Sequence, residues 1–158
     1  MKFRKIMLLV LICVFSTSVV YAQNTSRLHK ILKKGVLRVG TTGDWNPMTM
    51  RDPVTNQYQG FDIDMMTALA KDMGVEIRFV PTQWKTLING IVADKYDVST
   101  SASITTKRIR TVGFTRSYYQ VGTVPMTLKE NLGRFSDWED INREGVRVAV
   151  TLGTSFEQ

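Results

Sequence analysis

Two stretches of this chain repeat one pattern, an apolar helix face, then a glycine, then a run of β-formers, and that repetition restricts the fold more than any other feature. In the first, Ser26 stands where an N-cap would, Leu28, Ile31 and Leu32 recur at helical spacing, Gly35 ends the run, and Val36-Leu37-Arg38-Val39 follows as a strand. In the second, Asp62 stands as the cap and Ile63, Met66, Leu69, Ala70 and Met73 form the apolar face. Gly74 stops that helix, and Val75 to Val80 is a strand closed by Pro81. A helix from about Trp84 to Ala93, a strand around Tyr96 to Ser99 and a short helix from Thr105 continue the alternation. Strands separated by helices cannot pair as tight hairpins, so the expected class is α/β with a largely parallel sheet. Met65, Met66 and Met73, at helical spacing, belong to its core.

The alternation goes on past Phe114. Val121 to Leu128 is a long β-prone run, Lys129 to Gly133 is polar and turn-rich, Trp138 to Ile141 is helical, and Val146 to Val150 is a further strand. A helix start follows Gly153. A strand and helix start this near Gln158 need more sheet to pack against, so the sequence is expected to be the front part of a longer protein. The polar stretch 129–133 is expected to mark a crossing between domains.

The first residues have a separate character. Met1-Lys2-Phe3-Arg4-Lys5 is basic, Ile6 to Phe15 is apolar, and Val20-Tyr21-Ala22 ends in a small residue, as in a cleaved secretory signal over residues 1–22. The one cysteine, Cys13, lies inside it, so no disulfide, catalytic thiol or thiolate metal site is expected in the mature chain. Much of the +7 charge lies there too: setting aside Lys2, Arg4 and Lys5 lowers the basic count from 21 to 18 against 14 acidic residues. The remaining basic residues are scattered and not interleaved with aromatics, so no nucleic-acid partner is expected.

Catalytic constellations are scarce. The one histidine, His29, lies on a lysine-rich helix and reads as a surface residue, which leaves little for a Ser-His-Asp, Cys-His or zinc arrangement. Asp62 with Asp64, and Asp137 with Glu139 and Asp140, fall at helix starts, where capping explains them. Gly40-Thr41-Thr42-Gly43 resembles half of a phosphate loop but lacks its lysine and glycine spacing. No cofactor or metal is expected.

The strand ends carry more. In a parallel α/β sheet, ligands lie beyond the carboxyl ends of the strands. Those ends read Thr41 to Trp45 with Asp44 among them, Thr82-Gln83-Trp84, Ser99 to Ser103, and Gly153-Thr154-Ser155. They offer hydroxyls, backbone N–H groups and flat aromatics, the mixture a cleft for a small polar molecule needs. In the Ser99 to Arg108 stretch, alternate hydroxyls of an extended segment point one way, and Arg108 in the following helix can give a carboxylate two parallel N–H bonds. The same stretch is also compatible with a solvated Ser/Thr loop capped by Thr105.

Gly35-Val36-Leu37-Arg38-Val39-Gly40, Gly60-Phe61-Asp62-Ile63-Asp64, Trp84-Lys85-Thr86-Leu87-Ile88, Tyr96-Asp97-Val98, Ser103 to Arg108 and Phe114 to Tyr119, in that order, resemble the extracellular solute-binding proteins of family 3. That resemblance implies a periplasmic receptor of amino acid ABC transporters: a two-lobed hinged clamp, with lobe one over residues 23–128 and the crossing and opening of lobe two over 129–158. It implies an amino acid or similar small carboxylate as ligand and the transporter's membrane subunits as partners. By residue, it implies Arg108 on the ligand carboxylate, Thr100, Ser101 and Ser103 as polar contacts, Trp45 as the aromatic wall, and Thr154 and Ser155 as the lobe-two anion contact. The family commonly has glycine where Ser101 stands and glutamate where Lys107 stands. Arg27-Leu28, Gly40 to Trp45, Val80-Pro81-Thr82 and Gly122 to Leu128 further resemble the secreted cyclohexadienyl dehydratases, enzymes on this fold that act on prephenate or arogenate. Their asparagine after the Gly-Thr is Ser155 here. A third class, the ligand-sensing domain of a membrane receptor, would need an attached domain.

Overall fold

The computed structural model describes residues 26–157, so the expected signal and Cys13 lie outside the described residues. Helix α1 (Arg27–Lys34) begins and ends as its sequence dictates: the Ser26 hydroxyl accepts the His29 N–H, and Gly35 closes the helix at φ 67. Its buried face is narrower than the spacing implies. Ile31 is buried, whereas Leu28 and Leu32 are exposed, so of the three only Ile31 joins the core.

Strand β1 (Val36–Thr41) is followed by a small antiparallel sheet of β2 (Asp44–Trp45), β3 (Thr49–Arg51) and β4 (Tyr58–Gln59). Helix α2 (Phe61–Asp72) then leads to β5 (Glu76–Pro81), a 3-10 turn at Trp84–Thr86, α3 (Leu87–Val92), β6 (Val98–Ser99) and α4 (Thr106–Ile109). The main sheet has the order β5-β1-β6, and both pairings are parallel: Val36 to Thr41 run beside Glu76 to Pro81, and Val39 and Gly40 lie beside Val98 and Ser99. The expected α/β class with a parallel sheet is what forms.

Leu37 and Val39 point to one face of β1 and pack with Ile31, Met66 and Ala70. Met65, Met73, Ile77, Phe79 and Val98 close around that cluster, so the three methionines lie in or against the core. Leu69, expected on the same face, is exposed. The other face of β1 is held by Tyr96, which is 1% exposed. A Cβ at Gly40 would lie 2.5 Å from its ring, and one at Gly90 would lie 2.1 Å from its hydroxyl. Two glycines thus let one aromatic ring fill the space between β1 and α3, with its hydroxyl donating to the Leu87 carbonyl at 2.7 Å.

Four expectations give way here. Asp62 is not the cap of α2; Gly60 holds that position and no side chain caps the helix. Val121 to Leu128 and Val146 to Val150 form no strand, and the chain after Gly153 forms turns instead of a helix. A β-prone segment becomes a strand only when another chain segment takes its backbone groups and packs its side chains. Neither run has such a partner among the described residues, and Val124 and Met126 stand 79% and 94% exposed. The stretch 129–133 coils into a 3-10 segment (Lys129–Arg134), and α5 (Trp138–Ile141) forms as expected, capped by Asp137, whose carboxylate accepts the Asp140 N–H.

Candidate functional site

The chain leaves β1 to build β5 on one side and returns to build β6 on the other. The crevice past the carboxyl ends of β1 and β6 is therefore the topological switch point of the sheet, where ligands of open parallel sheets sit. The four strand-end segments picked out in the sequence are joined to one another there. Trp84 Nε1 donates to both carboxylate oxygens of Asp44, at 3.0 and 3.1 Å. The Trp45 and Trp84 rings meet edge to face with centroids 6.0 Å apart. Gly153 backs onto the 3-10 turn so closely that a Cβ there would lie 2.4 Å from the Lys85 backbone, and its φ of 83 suits only glycine. From Gly153 the contacts pass to Arg108 and Ser103, and the Ser155 hydroxyl donates to that of Ser103 at 3.2 Å.

Arg108 lies at the centre of this arrangement. Thr105 is the N-cap of α4, its hydroxyl accepting the Arg108 backbone N–H at 3.3 Å. The guanidinium donates through Nη1 to the Ser103 carbonyl at 3.0 Å and through Nη2 to the Gly153 carbonyl at 2.9 Å. These use two of its five N–H groups. The residue is 6% exposed, and none of the ion pairs among the described residues includes it. Burial accordingly pushes its pKa down. A cation removed from water and held only by neutral carbonyls attracts an anion more strongly than the same group on the surface.

The other expected residues divide into two groups. Asp44, Trp45 and Trp84 contact one another, and Ser103 meets Ser155, as just described. Thr100, Ser101 and Thr154 turn their polar groups into the protein. Thr100 is buried, and the Thr154 hydroxyl donates to the Thr151 carbonyl at 2.7 Å. The Ser101 hydroxyl donates to Asp62. Ser101 holds φ 62, a left-handed backbone that glycine would adopt without strain. Asp62 and Tyr118 were not singled out as site residues by sequence reasoning. Tyr118 donates to the Asp62 carboxylate at 3.0 Å, beside Ser101. The signal for Asp62 was available in Gly60-Phe61-Asp62, because a glycine two residues earlier can take the cap position and leave the aspartate free to turn inward. In the half phosphate loop the Thr41 hydroxyl bonds to that of Thr49, while the Thr42 hydroxyl is buried without a hydrogen-bond partner among the described residues.

A surface hollow of about 220 Å³ lies at the opposite end of the sheet, lined by Arg27, Lys30, Ile31, Lys34, Arg38, Asp94 and Asp97. Its acidic groups are taken up by Arg27 and Arg38, so it reads as an ion-pair seam between α1 and the sheet. Among the described residues, no group of three or more His, Cys, Asp or Glu is placed to hold a metal ion.

A parallel α/β unit with a buried arginine and neighbouring hydroxyls at its switch point has them where open α/β sheets take their ligands. Residues 37–140, more than half of the chain, match the model of the bacterial extracellular solute-binding proteins, family 3, and the chain belongs to that family. It is 39% identical to a cyclohexadienyl dehydratase of Pseudomonas aeruginosa over 134 residues, 84% of this chain and 50% of that protein. It is 35% identical to the L-cystine-binding protein TcyA of Bacillus subtilis over 101 residues, 64% of this chain and 38% of that protein. Among solved structures, the ancestral amino acid-binding protein AncCDT-1, described as a precursor of cyclohexadienyl dehydratase, superimposes with a TM-score of 0.77 at 42% identity. That match covers 84% of this chain and 58% of the ancestral one. Both resemblances read from the sequence are therefore found, and the chain spans about half the length of the curated relatives it matches.

Proposed function

We propose that the protein binds an amino acid or a similar small carboxylate at the β1/β6 switch point and delivers it to the membrane subunits of an ABC transporter. The observation that carries this is Arg108, a buried cation with no carboxylate partner among the described residues, held at the floor of the crevice between Ser103 and Gly153. Asp44, Trp45 and Trp84 wall the crevice on one side and Ser155 on the other. In this reading residues 1–22 are a cleaved export signal to the periplasm, residues 23–128 form one lobe, and 129–158 carry the crossing into a second lobe that closes over the ligand. The names of TcyA and AncCDT-1 as cystine-binding and amino acid-binding proteins support the same ligand class.

The test is calorimetry of the full-length protein against L-cystine and the twenty standard L-amino acids, with Arg108→Ala alongside. Loss of a buried, hydrogen-bonded charge partner costs about 2–5 kcal/mol, so the variant is expected to bind the parent's ligand at least about thirtyfold more weakly. Equal affinity in both proteins would remove Arg108 from the site.

The 39% identity to the P. aeruginosa cyclohexadienyl dehydratase favours a second reading, in which the same crevice converts its carboxylate ligand. Dehydration requires an acid that protonates the departing hydroxyl. Incubation with prephenate or arogenate decides between the two: phenylpyruvate or phenylalanine formation establishes the enzyme, and no turnover of either eliminates it.

A further inference from the structure

Asp62 is a fully buried carboxylate, at 0% exposure, to which the binding reading assigns no task. None of the ion pairs among the described residues includes it. A carboxylate taken out of water is tolerated when donors replace its hydration. Two hydroxyls do so: Ser101 Oγ donates to Oδ2, and Tyr118 Oη donates to Oδ1 at 3.0 Å. The Ser101 backbone N–H closes the triangle by donating to Tyr118 Oη at 3.1 Å. Ser101 itself is held at φ 62, a conformation that costs any residue with a Cβ.

We propose that Asp62 is a positioning residue of the ligand crevice, a latch that holds the turn at Ser101 in its left-handed form and ties that turn to Tyr118. The proposal rests on the binding reading above. From Ser101 the chain runs two residues to Ser103, whose carbonyl receives an Arg108 N–H at 3.0 Å, so the backbone direction chosen at Ser101 sets where the guanidinium is held. Asp62 is itself well anchored. Its N–H donates to the Met48 carbonyl at 2.9 Å, and it lies in the first turn of α2, where the helix dipole favours negative charge. Tyr118 is fixed in turn by stacking on Phe61, with ring centroids 6.4 Å apart. Tyr118 is 45% exposed as a residue, but desolvation of its phenol end, opposed by the Ser101 N–H and reinforced by the Asp62 charge, pushes the phenol up to about 12, so it stays a donor over the working pH range.

The test compares Asp62→Asn, Ser101→Gly, the double variant and Tyr118→Phe in the full-length protein. Amide hydrogen exchange over residues 100–103 reads the latch without ligand, and calorimetry reads affinity for the tightest binder among L-cystine and the twenty amino acids. Asp62→Asn is expected to speed exchange at Ser101 and to weaken binding about tenfold, the scale of the left-handed strain it no longer offsets. Glycine takes a positive φ without strain, so the double variant should bind within about threefold of Ser101→Gly alone. Tyr118→Phe should give a smaller loss in both readouts and serves as the probe if Asp62→Asn does not fold. Unchanged exchange overturns the latch, and so does a loss of affinity that glycine fails to restore, which is the mark of a merely structural carboxylate. A parent that binds nothing in the panel refutes the binding reading instead, and exchange still decides the latch.

Discussion

At the scale of single residues, size and conformation decide more than polarity. Tyr96 connects β1 to α3 only because positions 40 and 90 lack a Cβ, and its pKa is raised by the same burial. Gly90→Ala would place a methyl group 2.1 Å from the Tyr96 hydroxyl, in a space bounded by α3 on one side and β1 on the other. Overpacking of this kind costs about 1–3 kcal/mol, so the urea midpoint should fall. The ring carbon Cζ would lie 2.2 Å from the same methyl, so Tyr96→Phe in the Gly90→Ala background should not recover the loss, whereas Tyr96→Leu, which removes the ring as well, should recover part of it. A midpoint unchanged by Gly90→Ala would show that the ring can move aside.

At the scale of elements, the sequence was legible wherever an element is stabilised by its own residues. Helix α1 carries its cap and its stop, α2 its apolar face, and α4 its Thr105 cap. It was not legible where an element depends on a distant partner. Val121 to Leu128 has the composition of a strand yet forms none, because strand formation is a property of pairs. Asp62 was misread for a related reason: its donors come from positions 101 and 118, and no local pattern announces them. The candidate site was legible as four strand ends with one arginine, since topology alone brings strand ends together. Which hydroxyls turn inward was not. The Thr105 cap links element to site, because it orients the first turn that carries Arg108. Thr105→Ala should lower helix stability by about 1 kcal/mol and weaken ligand binding by up to about fivefold. Thr105→Ser should bind like the parent, and equal affinity in the alanine variant would uncouple the cap from the site.

At the scale of the whole molecule, one charge network joins three segments distant in sequence. Arg38 of β1 bonds Asp97 through Nε at 3.0 Å and Nη2 at 2.7 Å, and Arg27 of α1 donates to the Tyr96 carbonyl at 2.9 Å beside it. Asp97 also accepts the Arg38 backbone N–H at 3.0 Å. Burial acts to raise the Asp97 pKa, but the Arg38 side chain, its N–H and its charge outweigh that, and the net shift is downward. A carboxyl depressed in the folded state gives stability that is present above its unfolded value of about 3.9 and is lost as pH falls through the folded one. Asp97→Asn should therefore cost about 1.5–3 kcal/mol at pH 7, the worth of hydrogen bonds to a charged group. The gap to the parent should narrow as pH drops below about 4, where Asp97 begins to take up a proton in the unfolded chain, and should close once pH falls below the depressed folded value. Asp94 also pairs with both arginines, but its side chain is 62% exposed, so water and salt screen it and Asp94→Asn should shift the midpoint far less. Urea melts of the three proteins at pH 7 and pH 3 measure all of this. A gap between parent and Asp97→Asn that stays constant across that range would show that Asp97 acts through packing and not through its charge.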